Sequence, residues 1–164
     1  MNRKVEYGLV ALKHMQNKPK GALTSVREVC KLFSTPFDPV AHVLRILNAN
    51  DILNSEQGAH GGYRLTGDLS TISFARFIEM IEGHLSWTDC TRVASDRCGI
   101  ADSCNIVGPM HAFNGKLLDF LGSISLADLL NGKAIFPDLG DEPSGQESGG
   151  EDSAGGAEAT PPPG

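Results

Sequence analysis

Apolar residues recur at helical spacing from the start of the chain: Val5, Leu9, Leu12 and Met15 share one face, and Asn17 with Pro19 ends the segment. Thr24 reads as the cap of a second, short helix, Ser25 to Phe33, with Val26, Val29 and Leu32 turned inward. Ser34-Thr35-Pro36 breaks it. Asp38 and Pro39 then offer an N-cap and a first-turn proline for a longer helix reaching about Ala49, with Val40, Val43, Leu44 and Leu47 apolar. A short helix, a tight turn and a longer helix form a helix-turn-helix pattern.

Beyond it the period changes. Ile52 to Ser55 and Tyr63 to Leu65 are two short strand candidates flanking Glu56-Gln57-Gly58-Ala59-His60-Gly61-Gly62, a hairpin shaped like a wing. Gly58, Gly61 and Gly62 allow a close backbone approach to a phosphate chain, while His60 and Arg64 can add charge or hydrogen bonds. Ser70 to Glu82 is helical again, with Ile72, Ala75, Phe77, Ile78 and Ile81 as its apolar set. Gly83 to Val107 has little periodicity and reads as a loop. A long helix from about Pro109 to Ser123 carries Met110, Phe113, Leu117, Phe120 and Leu121, more apolar surface than one small domain needs and of the kind a symmetric dimer buries. Ser125 begins a last short helix, Leu126 to Asn131. The expected fold is mainly α with a small β-hairpin wing: residues 1–82 a winged helix-turn-helix, 83–137 a cysteine loop and dimerisation helix, and 138–164 a tail.

Charge changes this picture in one respect. The formal net charge of -6 argues against a nucleic-acid partner, but seven acidic residues and no Lys or Arg lie from Asp138 onward, in a Gly/Ser/Ala/Pro-rich segment expected to be disordered. Without it 14 basic residues face 13 acidic ones, and residues 1–65 hold nine basic against five acidic, which suits phosphate contact. The tail itself reads as a solubilising end or as an acidic competitor for the DNA surface. No stretch of about 18 apolar residues and no signal-peptide pattern is present, so the expectation is a cytoplasmic protein without a membrane partner.

Three of the four cysteines, Cys90, Cys98 and Cys104, fall within fifteen residues, and in a cytoplasmic chain such clustering points to a metal or redox site rather than disulfides. Zinc ribbons and fingers bring close cysteine pairs, which this loop lacks. Loops of seven and five residues between the thiols are wide enough to wrap an iron-sulfur cluster, 2Fe-2S or 4Fe-4S. Three thiolates leave one position short, so either another side chain completes the set or one iron stays open to solvent or a small molecule, as a sensor needs. Cys30, at helical spacing with Val26 and Val29, reads as a small buried hydrophobe. No nucleophile with a paired base and no phosphate loop is found, and catalytic residues are not expected.

With Glu6-Tyr7-Gly8-Leu9, the wing Gly58 to Leu65, the three cysteines and the closing Ile124 to Leu129, residues 3–130 resemble the bacterial winged-helix regulators that include IscR, NsrR, RirA and CymR. The resemblance implies a homodimer, two recognition helices in successive major grooves, wings in the flanking minor grooves, and a cluster on Cys90, Cys98 and Cys104. IscR carries a histidine ligand three residues after its third cysteine; here that position is Val107, so an IscR-like ligand set is ruled out. NsrR-like members use a carboxylate near the N-terminus of the other subunit, and the matching residue is Glu6, with His111 the rival. The wing has Gln57 where many members have arginine. Positions that read bases in IscR correspond to Pro36, Asp38 and Ala41, so the operator differs from the IscR type. Asp38 serves there as a base contact or only as a cap; His42 and Arg45 lie on the same side, with Arg45 in reach of guanine or phosphate. Gly58, His60, Gly61, Tyr63 and Arg64 are the wing's DNA-facing set.

The implied function is a dimeric regulator binding promoter DNA under control of a cluster that senses redox state, nitric oxide or iron supply, with double-stranded DNA, a second copy and RNA polymerase as partners. A thiol- or zinc-based regulator without a cluster is the alternative within the class. A small iron-sulfur electron carrier is the alternative outside it, and would leave the helix-turn-helix unexplained.

Overall fold

A computed structural model of the chain describes residues 3–58, 61–83, 85, 100 and 103–133. In chain order these form α1 (Arg3–Gln16), α2 (Val26–Phe33), α3 (Phe37–Ala49), β1 (Leu53–Glu56), β2 (Gly62–Leu65), α4 (Phe74–Glu82), α5 (Val107–Ser123) and α6 (Leu126–Leu130). The fold is the mainly α one with a two-stranded antiparallel hairpin that the pattern predicts.

One core joins the helices. Val5, Leu12 and Met15 from α1 meet Val29 from α2, Val40, Val43, Leu44 and Leu47 from α3, Phe77 and Ile81 from α4, and Leu126 from α6. Helical spacing of apolar residues puts each set on one stripe, and removing those stripes from water is the main favourable term. Gly8 lets α1 approach closely: a Cβ there would lie 2.8 Å from the Phe77 ring and 3.2 Å from Ile81 and Val43 side-chain atoms.

Several helix boundaries differ from the sequence reading. Thr24 does not cap α2; Ser25 does, its Oγ accepting from Glu28 N at 3.1 Å. Thr24 is instead fully buried and bridges Tyr63, its N–H donating to Tyr63 O at 2.8 Å and its C=O accepting from Tyr63 N at 2.9 Å. Leu32 is not inward but 57% exposed, because the last turn of α2 runs past the core. Asp38 is not the cap of α3 either: Pro36 holds the extended N-cap conformation, and Asp38 falls within the first turn, where a carboxylate favours the helix dipole. Ile52 precedes the first strand, which extends through Glu56.

The fourth helix starts at Phe74 rather than Ser70. Asp68 draws Ser70 into a turn, accepting from its N at 2.9 Å and its Oγ at 2.7 Å, and Ser73 becomes the cap. Backbone groups on either side of Ser73 are then taken by the chain entering α6: Phe74 N donates to Ile124 O and Leu126 N to Ile72 O, both at 2.8 Å. This exchange fixes the C-terminal end of α5 to the winged core.

Along its length α5 is covered far less. Only Asn114 among its 17 residues is buried, and Phe113 is 53% exposed. Cys30 is half-buried against the core. No described helix is long and apolar enough to cross a membrane.

Candidate nucleic-acid interface and thiolate site

The α2–α3 turn is made by Ser34, which adopts the left-handed conformation (φ 51, ψ 41) usually given to glycine and returns its N–H to Cys30 O. Thr35 and Pro36 then redirect the chain, so that α3 crosses with Val40, Val43, Leu44 and Leu47 inward. What remains outward is the candidate reading face. Asp38, His42 and Arg45 are all exposed on it, and the Arg45 Nε donates to Ala41 O at 3.3 Å, laying the side chain back along the helix. Phe37, the first residue of α3, is 49% exposed. The apolar stripe of α3 does not mark it; an aromatic directly after a proline that starts a helix is the signal the sequence carries.

The hairpin follows α3 and packs against it through β1. Leu53 pairs with Leu65, Asn54 with Arg64, Ser55 with Tyr63 and Glu56 with Gly62. Gly62 has no room for a side chain, since a Cβ would fall 2.7 Å from Thr24 O, and Gly58 takes φ +120 at the turn. Tyr63 therefore has a fixed place: its backbone is committed to Thr24 and its ring packs half-buried against the core. Arg64 forms an ion pair with Glu56. Glu56 is thus a residue that composition alone did not single out, and it offsets the wing charge that Arg64 was expected to offer. Gly61 lies in the turn with its N–H donating to Gly58 O at 3.0 Å. His60 lies outside the described residues.

A polar cluster joins α1 and the segment after it to α2. His14 Nε2 lies 2.7 Å and Lys18 Nζ 2.8 Å from Glu28 Oε1, and the His14 ring meets Phe33 edge-on at 5.9 Å. Burial opposes the charged form of Glu28, but hydrogen bonds from Lys18 and His14, with their charges, outweigh it and hold this carboxyl below its ordinary value.

Of the four predicted metal ligands, two can be located. Cys104 is a half-buried free thiol three residues ahead of α5. Glu6 is exposed in the first turn of α1, next to the fully buried Val5. Cys90 and Cys98 lie outside the described residues, as does the tail from 138. Among the described residues no three His, Cys, Asp or Glu side chains gather to hold a metal ion. The rival His111 is exposed on α5.

A helix-turn-helix with a hairpin clasped beside it defines the winged-helix class of DNA-binding domains. Over residues 1–132 the sequence matches Rrf2, described as an iron-dependent transcriptional regulator. The chain belongs to the Rrf2 family and is a transcriptional regulator. It is 22% identical over 125 residues to the HTH-type transcriptional regulator NsrR of Shouchella clausii, covering 76% of this chain and 84% of that one. Its fold is similar to that of CymR, the global cysteine regulator of B. subtilis (TM-score 0.60, 21% identity, 80% of this chain and 95% of that one). It is also similar to the fold of T. potens IscR (TM-score 0.57, 19% identity, 80% and 86%).

Proposed function

We propose that this regulator is a homodimer whose binding to promoter DNA is governed by an iron-sulfur cluster on Cys90, Cys98 and Cys104, with Glu6 of the partner subunit completing the ligand set. The observation that carries the reading is the position of Cys104, a free, half-buried thiol at the head of a helix that leaves apolar residues uncovered. Three thiolates and a carboxylate suit iron by donor chemistry. When bound, the cluster would supply iron–thiolate coordination sensitive to oxidants, nitric oxide or iron supply.

The chain's own residues provide the coupling. Glu6 neighbours Val5, and Val5, Gly8 and Leu12 on the same rigid helix pack into the core that seats α3. A pull on Glu6 is therefore a pull on the backing of the reading helix. Since a dimer sets the spacing of its half-sites, a small rotation between subunits changes many DNA contacts together.

Anaerobic purification followed by visible absorption and iron, sulfide and zinc analysis tests this on the wild type and Cys98→Ala. Brown protein with stoichiometric iron and sulfide, lost in the variant, supports the cluster. Colourless protein holding zinc or no metal refutes it and favours the second reading, a thiol- or zinc-based regulator, which the likeness to the cysteine regulator CymR supports. RNA polymerase enters as a partner at the promoter under either reading.

A further inference from the structure

The reading helix begins on a residue without a single donor or acceptor in its side chain. Phe37 is the first residue of α3 and is 49% exposed, while the inward stripe Val40, Val43, Leu44 and Leu47 is 1% exposed or less. A recognition helix presents its N-terminal residues to base edges in the major groove. There a benzyl side chain finds one complementary group, the C5 methyl of thymine. Ala41 lies one turn further on the same side, and Arg45, one turn beyond that, lies back against the Ala41 carbonyl at 3.3 Å. Phe37 borders the inward stripe and stays half exposed at the helix start, so the uncovered side of α3 runs from this apolar edge to a cationic end, with the carboxylate of Asp38 beside the start disfavouring a phosphate there.

We infer that Phe37 reads a thymine methyl in each operator half-site, making it a specificity-determining residue of the DNA-binding reading above, on which this inference rests. Apolar burial against the methyl is realised only on DNA carrying thymine at that step. Its loss leaves phosphate contacts untouched.

The test uses full-length protein, prepared anaerobically and also after chelation, to select duplexes from a random pool in whichever state enriches them. Thymines of the selected operator are then replaced one position at a time, in both half-sites, by deoxyuracil, which removes the methyl and nothing else. At one position the wild type should lose affinity by about fourfold per half-site, the worth of one buried methyl group. Phe37→Ala should bind the thymine and uracil operators within about twofold of each other, and Phe37→Leu should fall between. Thermal melting of both variants reports that they are folded, as expected for a half-exposed position. Uracil without effect on the wild type, or with equal effect on the wild type and Phe37→Ala, overturns the inference while leaving DNA binding intact. Failure to enrich any duplex in either state is a different result: it overturns the DNA-binding reading and the methyl reading with it.

Discussion

The winged core and α5 are built from similar residues and come to opposite ends. In the core, α1, α3 and α4 bury Leu12, Leu44 and Phe77 to zero exposure against one another. In α5, Phe113 remains 53% exposed and the one buried residue is the polar Asn114. Apolar content therefore does not say where a hydrophobic surface is satisfied; topology does. The core helices cross one another within one chain, whereas α5 is tied at its Ile124 end and packs along α4 only in part. A half-covered helix of this kind calls for a second surface, which is the physical argument behind the proposed homodimer.

Paired substitutions test that contrast most strongly. Phe77→Ala should destabilise the chain by about 3–5 kcal/mol in denaturant unfolding, through lost burial and a cavity. Phe113→Ala should leave single-chain stability within about 0.5 kcal/mol yet weaken self-association in sedimentation equilibrium. Unchanged association in Phe113→Ala would break the comparison. Next in size are the glycines. Gly8→Ala should cost about 1–3 kcal/mol, because Phe77, Ile81 and Val43 have nowhere to go. Gly115→Ala meets nothing within 4 Å in the single chain and should instead add roughly 0.5–1 kcal/mol by helix propensity. A loss at Gly115 would reveal that a partner fills that space.

Thr24 sharpens the account of the core itself. Its Oγ1 is buried without a hydrogen-bond partner. Thr24→Val keeps the shape and the backbone bridge, and should raise stability by about 1 kcal/mol in the same unfolding assay. In the wing, Glu56→Gln releases Arg64, so DNA affinity should rise two- to threefold at low salt, with a log–log salt slope steeper by about 1. The smallest effect is that of pH. Glu28 is held below its ordinary value of 4.5, so its contribution to stability is complete above that value and is lost as pH falls through the lower folded value. Melting temperatures of Glu28→Gln should therefore show a shallower acid decline than the wild type.

Much of this architecture was legible because half-buried helices write their stripes into the sequence. Val5, Leu12 and Met15, and Val40, Val43, Leu44 and Leu47, were read correctly on that basis. Ends of elements were harder. Leu32 keeps the helical period but sits in a turn that overruns the core, and periodicity carries no information about where the neighbouring helix stops. Ser25 and Thr24 are chemically interchangeable as caps. Which one serves is decided by a tertiary contact, the Tyr63 bridge that takes Thr24 out of contention. Asp38 lost the capping role to Pro36 for a local reason, since proline already holds the N-cap backbone. At the candidate site, the Glu56–Arg64 pair depends on hairpin register and was not legible.

The Thr24–Tyr63 bridge bears on how operators for this protein can change over generations. It joins strand β2 of the wing to the residue just ahead of α2's cap, so the strand that would follow one groove is tied to the helix pair that would enter another. Inserting one base pair between the segments they touch would displace one from the other by about 3.4 Å along the duplex and about 34° around it. A rigid clasp cannot follow that displacement. Operator half-sites should therefore diverge among promoters by base substitution, with their internal length held constant.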